Sequence, residues 1–198
     1  SGVTLTGGAS ANVITDGAGG DTIDGNGGAA VISASEGDDT VAFHGSETSL
    51  DGGAGVDTLK LSALGGLTSV DLSVTAGSDQ TIGDAVTATN FENVDASAIS
   101  TSLTIIGSAV GNTIIGGSAA DTIHGGGGAD IISGGAGADA IDYWGVETSI
   151  DGGAGVNTLA LRDTATVDLG AADQTSGDVA TVTNFQNVDA TALAALQS

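Results

Sequence analysis

Aliphatic residues recur at every ninth position in two long stretches of the chain. The first stretch holds them at Leu5, Ile14, Ile23, Ile32, Val41, Leu50 and Leu59, and the second at Ile105, Ile114, Ile123, Ile132, Ile141, Ile150 and Leu159. In a strand of three residues, the middle side chain points to one face and its neighbours point to the other. The spacing therefore predicts a series of short strands, each of which buries one aliphatic side chain.

The six residues before each predicted strand are rich in glycine and predict tight turns. Gly134-Gly135-Ala136-Gly137-Ala138-Asp139 is a regular example, followed by the strand Ala140-Ile141-Asp142. Glycine allows positive φ and a close approach between backbones, which a tight turn needs. Two nine-residue units then close one coil, with a turn at each edge and a strand on each face. Coils stack about 4.8 Å apart, and each contributes only about two branched aliphatic side chains to a narrow core.

The whole pattern occurs twice, as two tandem cassettes. A shift of 100 residues superposes Asp51-Gly52-Gly53-Ala54-Gly55 on Asp151-Gly152-Gly153-Ala154-Gly155, and a later shift of 94 matches Asn90-Phe91 with Asn184-Phe185. We predict an all-β chain with a first cassette at residues 1–100 and a second at 101–198. The nine-residue repeats cover about 3–61 and 103–160, and linking segments cover 62–100 and 161–198.

The linking segments carry weaker signals than the repeats. Val70-Asp71-Leu72 and Val167-Asp168-Leu169 alternate like strands, and residues 192–196 predict a short helical end. Phe91 and Phe185 are expected to anchor each excursion against the repeats. Beyond joining one block of repeats to the next, we assign no chemistry to these segments.

The large negative charge and the lack of cysteine exclude several classes of partner and chemistry. The chain has 25 acidic residues against 2 Lys and Arg, a net charge of −23, and no cysteine. Two cations cannot neutralise a phosphate backbone, which excludes nucleic acid as a partner, and no apolar run is long enough for membrane insertion. The lack of cysteine excludes a disulfide scaffold and thiol catalysis. So large an excess of acid indicates a cation as partner, and calcium is the first candidate.

The sixth position of the nine-residue frame, just before each strand, supplies the candidate ligands. Units on the same edge recur every 18 residues. One edge carries Asp21, Asp39 and Asp57 in the first cassette and Asp121, Asp139 and Asn157 in the second. The other edge carries Asn12, Ala30 and Thr48, then Asn112, Asp130 and Thr148. Ca²⁺ prefers six to eight oxygen ligands, which carboxylates and turn carbonyls provide.

These spacings predict calcium between consecutive coils. The main sites lie between Asp21 and Asp39, between Asp39 and Asp57, and between Asp121 and Asp139; further candidates pair Asp139 with Asn157, and Asn112 with Asp130. Ala30, Thr48 and Thr148 lack a carboxylate, so their turns are poorer candidates. A competing interpretation is that these aspartates only hydrogen-bond their own backbone, as aspartate often does in turns.

Two nine-residue segments match the nonapeptide G-G-x-G-x-D-x-U-x at every position, where U is a large aliphatic residue. They are Gly134 to Asp142 and Gly52 to Lys60. In this the chain resembles the RTX, or haemolysin-type, calcium-binding repeat proteins. Asn90 to Val94 also resembles the segment that links blocks of repeats in long secreted RTX proteins. The resemblance implies a right-handed parallel β-roll, a form of β-solenoid, whose glycine turns hold calcium. It also implies type I secretion and an extracellular or cell-surface location.

The expected function is that of a structural module that folds on binding Ca²⁺ outside the cell. We expect no enzyme, because H-E-x-x-H and G-x-S-x-G are absent and His44 and His124 do not correspond between the cassettes. One alternative is a subunit of a surface layer or extracellular filament that associates end to end. Another is an adhesin repeat that uses Phe43-His44 and Tyr143-Trp144 as contacts. We favour the interpretation that those aromatic pairs pack over turns that have lost calcium.

Overall fold

A computed structural model describes residues 1–194, which form two units. Unit 1 is Ser1–Ile99, and unit 2 begins at Ser100. Each unit is a parallel β-solenoid built from strands of two to four residues, which confirms the predicted class of fold. In this part of the chain, no helix has the length and apolar character needed to span a membrane.

The strands of unit 1 alternate between two faces of the solenoid. They are β1 (Thr4–Thr6), β2 (Val13–Thr15), β3 (Thr22–Asp24), β4 (Val31–Ser33), β5 (Thr40–Phe43), β6 (Ser49–Asp51), β7 (Thr58–Leu61), β8 (Ser69–Asp71), β9 (Thr81–Ile82), β10 (Thr87–Thr89) and β11 (Asn93–Asp95). One face pairs β1, β3, β5, β7 and β11 in that order, all parallel. The other face pairs β2, β4, β6 and β10.

Unit 2 repeats this arrangement. Its elements are β12 (Thr104–Ile106), β13 (Thr113–Ile115), β14 (Thr122–His124), β15 (Ile131–Ser133), β16 (Ala136–Gly137), β17 (Ala140–Tyr143), β18 (Ser149–Asp151), β19 (Ala154–Gly155), β20 (Thr158–Leu161), β21 (Thr166–Val167), β22 (Thr175–Ser176), β23 (Thr181–Thr183), β24 (Asn187–Asp189) and the helix α1 (Thr191–Ala194). One face pairs β12, β14, β17, β20 and β24, and the other pairs β13, β15, β18 and β23. The predicted helical end begins at 191, and residues 195–196 of that prediction lie outside the described residues.

The aliphatic side chains at the eighth position of the frame form the core. Twelve of the fourteen have an exposed fraction of 1% or less, whereas Leu5 and Ile14 in the first two strands are partly exposed. Within the repeats, paired strands place residues 18 apart opposite each other, as in the row Ile123, Ile141 and Leu159. This register puts equivalent turns directly next to each other along each edge.

The linking segments leave the nine-residue frame but rejoin the same stack. In unit 1 the chain makes an antiparallel hairpin, β8 with β9, and returns as β10 and β11 on the last coil of repeats. The Gln80 amide holds this return, because Nε2 donates to the Phe91 carbonyl at 2.7 Å and Oε1 accepts the Phe91 N–H at 2.8 Å. Gln174 and Phe185 make the same pair of bonds in unit 2. Both phenylalanines are buried, as expected of anchors.

Candidate metal centres

The candidate ligands line the turns in two rows. We call the first row the carboxylate ladder; its members are Asp21, Asp39 and Asp57 in unit 1 and Asp121, Asp139 and Asn157 in unit 2. All six side chains are buried, with exposed fractions of 3% or less. On the other edge Asn112 and Asp130 are equally buried. The fold therefore takes several carboxylates out of water and stacks them one coil apart.

One oxygen of each ladder carboxylate ties neighbouring coils together. Asp39 Oδ1 accepts the N–H of Asp21 at 2.6 Å, and Asp57 Oδ1 accepts that of Asp39 at 2.8 Å. Asp139 Oδ1 accepts the N–H of Asp121 at 2.8 Å in the same way. The interpretation that these aspartates bind backbone is therefore right for Oδ1, although its donor lies in the preceding coil. Asp121 also binds its own turn, because its Oδ2 accepts the N–H of Gly117 at 2.8 Å.

The second oxygen is left without such a partner at four positions. Oδ2 of Asp39, Asp57, Asp130 and Asp139 is buried and accepts no hydrogen bond from any residue that the structure describes. Burying a charged oxygen without a hydrogen bond or a counter-charge costs about 1–3 kcal/mol or more in folding free energy. These oxygens therefore require a cation or a proton.

Turn carbonyls lie beside these oxygens. A Cβ placed on Gly134 would lie 2.7 Å from Asp139 Oδ2 and 2.7 Å from the carbonyl oxygen of Gly152 in the next coil. At Gly52, a Cβ would be 3.0 Å from Asp57 Oδ2 and would overlap the Asn90 carbonyl oxygen. Glycine keeps this space open. A set of hard oxygens around a gap between coils fits Ca²⁺, which takes carboxylate and carbonyl ligands at about 2.3–2.6 Å.

The same burial changes the acidity of these groups. Burial raises the pKa of Asp57 to about 7, and the nearby charges of Glu92, Asp39 and Asp38 add to the effect against one hydrogen bond that lowers it. Burial raises the pKa of Asp130 to about 6, helped by the charge of Glu147. A bound divalent cation would reverse this balance, because it favours the ionised form.

Asp16 is a candidate ligand that the sequence analysis missed. Carboxylate oxygens of Asp16, Asp21 and Asp39 lie within 4.8 Å of one another. Neither Asp16 oxygen has a hydrogen-bond partner within residues 1–194, although both are buried. Burial raises the pKa of Asp16 to about 6, and the carboxyl groups of Asp21 and Asp39 contribute. The signal was present in the sequence, since Asp16 replaces the first glycine of the frame, where unit 2 has Gly116.

The other edge differs between the units. Asp130, with its unpartnered oxygen, corresponds to Ala30 in unit 1, so only unit 2 has a carboxylate at this turn. In the turns that end at Thr48 and Thr148, a buried glutamate supplies the missing acceptor. Glu147 accepts the backbone N–H groups of Trp144 and Val146 at 2.7 and 3.1 Å, and Glu47 caps the matching turn of unit 1. Those two turns are closed by protein hydrogen bonds.

The histidines and aromatic pairs have structural contacts. His44 Nε2 lies 2.8 Å from Asp24 Oδ1, and His124 Nδ1 lies 2.6 Å from Asp142 Oδ2. Phe43 and Tyr143 are buried, which favours the packing interpretation of the aromatic pairs, whereas 42% of Trp144 is exposed.

Arg162 pairs with a buried carboxylate. Its Nη2 lies 2.8 Å from Asp142 Oδ1. Burial tends to raise the pKa of Asp142, but the bonds from His124 and Arg162 outweigh it and lower the pKa.

The linking segments add one further acceptor to each ladder, a role that the sequence did not assign to them. Glu92 Oε2 accepts the N–H of Asp57 at 2.8 Å, and Gln186 Oε1 accepts the N–H of Asn157 at 2.7 Å. Each residue follows the Asn-Phe pair that repeats between the cassettes. Its role was not visible in the sequence because its distance from the ladder, 35 or 29 residues, departs from the spacing of 18.

Comparison with known proteins agrees with this geometry. No curated protein matches the chain. The family model of the RTX calcium-binding nonapeptide repeat (4 copies) matches residues 6–41 and 106–141. The matched segments contain Asp21, Asp39, Asp121, Asp130 and Asp139, while Asp57 and Asn157 lie outside them. Both units of this chain therefore carry RTX calcium-binding nonapeptide repeats.

Proposed function

We propose that the chain is a calcium-responsive structural module of a secreted or cell-surface protein, and that it folds when calcium binds between its coils outside the cell. The observation that carries this proposal is that Oδ2 of four aspartates at the sixth position of the frame, Asp39, Asp57, Asp130 and Asp139, is buried and unpartnered among the described residues. The same carboxylates already use Oδ1 to join coils. A divalent ion on Oδ2 would thus add a second link between coils to the hydrogen bond that Oδ1 makes.

Charge makes folding depend on that ion. The chain carries a net charge of −23, and each coil contributes only a thin aliphatic core. Stacking carboxylates one coil apart without a cation adds repulsion to the cost of ordering the chain. Extracellular calcium modules have dissociation constants of about 10⁻⁴–10⁻³ M. Such affinities would leave the chain unfolded, and able to be exported, at cytosolic calcium, and would fold it outside.

The module acts structurally in this proposal. Its carboxylates repeat every 18 residues along the edges of the solenoid, and most of them bind backbone N–H groups. Metal binding then supplies folding free energy, because the site exists only when consecutive coils are stacked.

Far-UV circular dichroism of the whole chain tests the proposal. We expect a largely disordered spectrum without calcium, a β spectrum at millimolar calcium, and a return to disorder after a chelator is added. Magnesium at the same concentration is the control, since it demands a smaller octahedral site and keeps its water. A β spectrum that is indifferent to both calcium and chelator would refute the calcium-dependent folding.

A further inference from the structure

The last coil of repeats is closed differently in the two units. In unit 2, Asn157 Nδ2 donates to the carbonyl oxygens of Gly153 at 3.2 Å and Asn184 at 3.0 Å. Its Oδ1 accepts the N–H of Asp139 at 3.0 Å. The Asn157 amide therefore joins three parts of the unit: the preceding coil, its own turn and the linking segment.

Asp57 takes the place of Asn157 in unit 1. Its Oδ1 keeps the bond to the preceding coil, from the N–H of Asp39. Its Oδ2 occupies the position of the amide nitrogen: a Cβ on Gly52 would lie 3.0 Å from Asp57 Oδ2, and one on Gly152 would lie 2.9 Å from Asn157 Nδ2. Both hypothetical Cβ atoms also meet the carbonyl oxygen of the linking asparagine, Asn90 or Asn184.

An acceptor thus faces acceptors in unit 1. Asp57 is fully buried, and its Oδ2 receives no hydrogen bond within the described part of the chain. Where unit 2 places two N–H donors, unit 1 places a carboxylate oxygen beside the Asn90 carbonyl. Two acceptor oxygens repel each other unless a proton or a cation lies between them.

The residues around Asp57 also carry more negative charge than those around Asn157. The charges of Glu92, Asp39 and Asp38 all act on Asp57. The corresponding residues around Asn157 are Gln186, Asp139 and Ala138. Unit 1 therefore has four carboxylates at this position, counting Asp57 itself, whereas unit 2 has one. A single proton on Asp57 would leave the other three charges in place, whereas a divalent cation offsets two.

We propose that unit 1 binds a calcium ion where its last repeat meets the linking segment, with Asp57 Oδ2 and the Asn90 carbonyl as ligands, and that unit 2 replaces this ion with the amide of Asn157. This inference rests on the proposed function, since it assumes that the repeats bind calcium. Glu92 and Asp38 lie close enough to strengthen the site by their charge. Unit 1 and unit 2 consequently differ by one ion at equivalent positions.

Reciprocal exchange of these residues tests the inference on the whole chain. Calcium bound per chain is measured by native mass spectrometry and by equilibrium dialysis at millimolar calcium. D57N copies unit 2, so it is expected to stay folded and to lose one ion. The double variant N157D/Q186E introduces the two carboxylates of unit 1 that lie on the last coil and its linking segment, keeps Ala138, and is expected to gain one ion. D163N, which removes one charge at an exposed position, is the matched control and should bind the parent number.

The outcomes separate this inference from the proposed function. If the parent chain binds calcium but D57N binds the same number of ions, or if N157D/Q186E gains none, the inference is wrong and the proposed function stands. If the parent chain itself binds no calcium, the proposed function fails. Circular dichroism of each variant in calcium shows that the compared chains are folded.

Discussion

At the scale of single residues, the aspartate at the sixth position of the frame has two oxygens with different tasks. Oδ1 accepts a backbone N–H from the preceding coil, as Asp139 does from Asp121. Oδ2 is available to a cation at Asp39, Asp57, Asp130 and Asp139, where it is buried and unpartnered within residues 1–194. Asp121 is an exception, because its Oδ2 accepts the N–H of Gly117 in its own turn at 2.8 Å. The sequence pattern could indicate these residues, because their spacing is regular. It could not assign the oxygens, because the N–H donor comes from another coil.

Asp16 allows the effect of charge to be separated from that of structure. Its carboxylate makes no hydrogen bond with the described residues and lies within 4.8 Å of those of Asp21 and Asp39. We expect D16N to weaken calcium binding at this site by about tenfold, which corresponds to about 1.4 kcal/mol. At saturating calcium the β spectrum of D16N should equal that of the parent chain, because the substitution removes a charge and leaves the repeats intact.

Calcium titration followed by circular dichroism measures both the midpoint of folding and the spectrum at saturating calcium for D16N. D163N serves as the control, because it removes the same charge from an exposed side chain. If D16N behaved like D163N in both measurements, Asp16 would not belong to the site.

At the scale of elements, the nine-residue unit is one turn and one strand, and each half has its own requirement. The strand must bury a single aliphatic side chain. The turn must let neighbouring coils approach: Gly135 has φ of +94°, and a Cβ there would overlap the carbonyl oxygen of Gly117. Both requirements are local, so the sequence predicts the repeated strands well. Asp16 and Ala34 show that the first glycine of the turn can be replaced in individual coils.

Strand β15 offers an internal comparison of buried and exposed positions. Ile132 has an exposed fraction of 1%, and Ile131 beside it has one of 49%. We expect I132A to lower the free energy of unfolding by about 2–5 kcal/mol in the presence of calcium, because it leaves a cavity. I131A should change it by less than about 1 kcal/mol.

Urea denaturation of both isoleucine variants at saturating calcium measures these differences. The two substitutions remove the same atoms from adjacent residues, so intrinsic strand preference largely cancels. Equal losses from I131A and I132A would contradict the assignment of the core to the eighth position of the frame.

At the scale of the whole molecule, stability without calcium should depend on pH through the buried carboxyl groups. Burial raises the pKa of Asp57 from 3.8 to about 7, and those of Asp16 and Asp130 to about 6. In the calcium-free folded chain these groups keep protons that the unfolded chain releases above about pH 4. Their contribution to stability is therefore complete below that pH and is lost as the pH rises through 6 and 7.

Calcium-free chain should accordingly contain more β structure at pH 5 than at pH 8. Carboxyls with lowered pKa, such as Asp142, titrate below this window and do not oppose the effect. Circular dichroism of dialysed, calcium-free protein across this range measures it, and D57N should show a smaller dependence. A rise in structure from pH 5 to pH 8 would have the wrong sign for these buried acids.

The sequence by itself determined the class of fold, the position of most strands in the repeats, the buried aliphatic row and the row of candidate ligands, because each depends on a period of nine or 18 residues. Only the tertiary structure decided which oxygen of each aspartate faces the gap between coils. It also placed Asp16 beside Asp21 and Asp39 and brought Glu92 and Gln186 onto the ends of the ladders. Those contacts join residues at irregular separations, and only a folded backbone specifies which irregular separations become short distances.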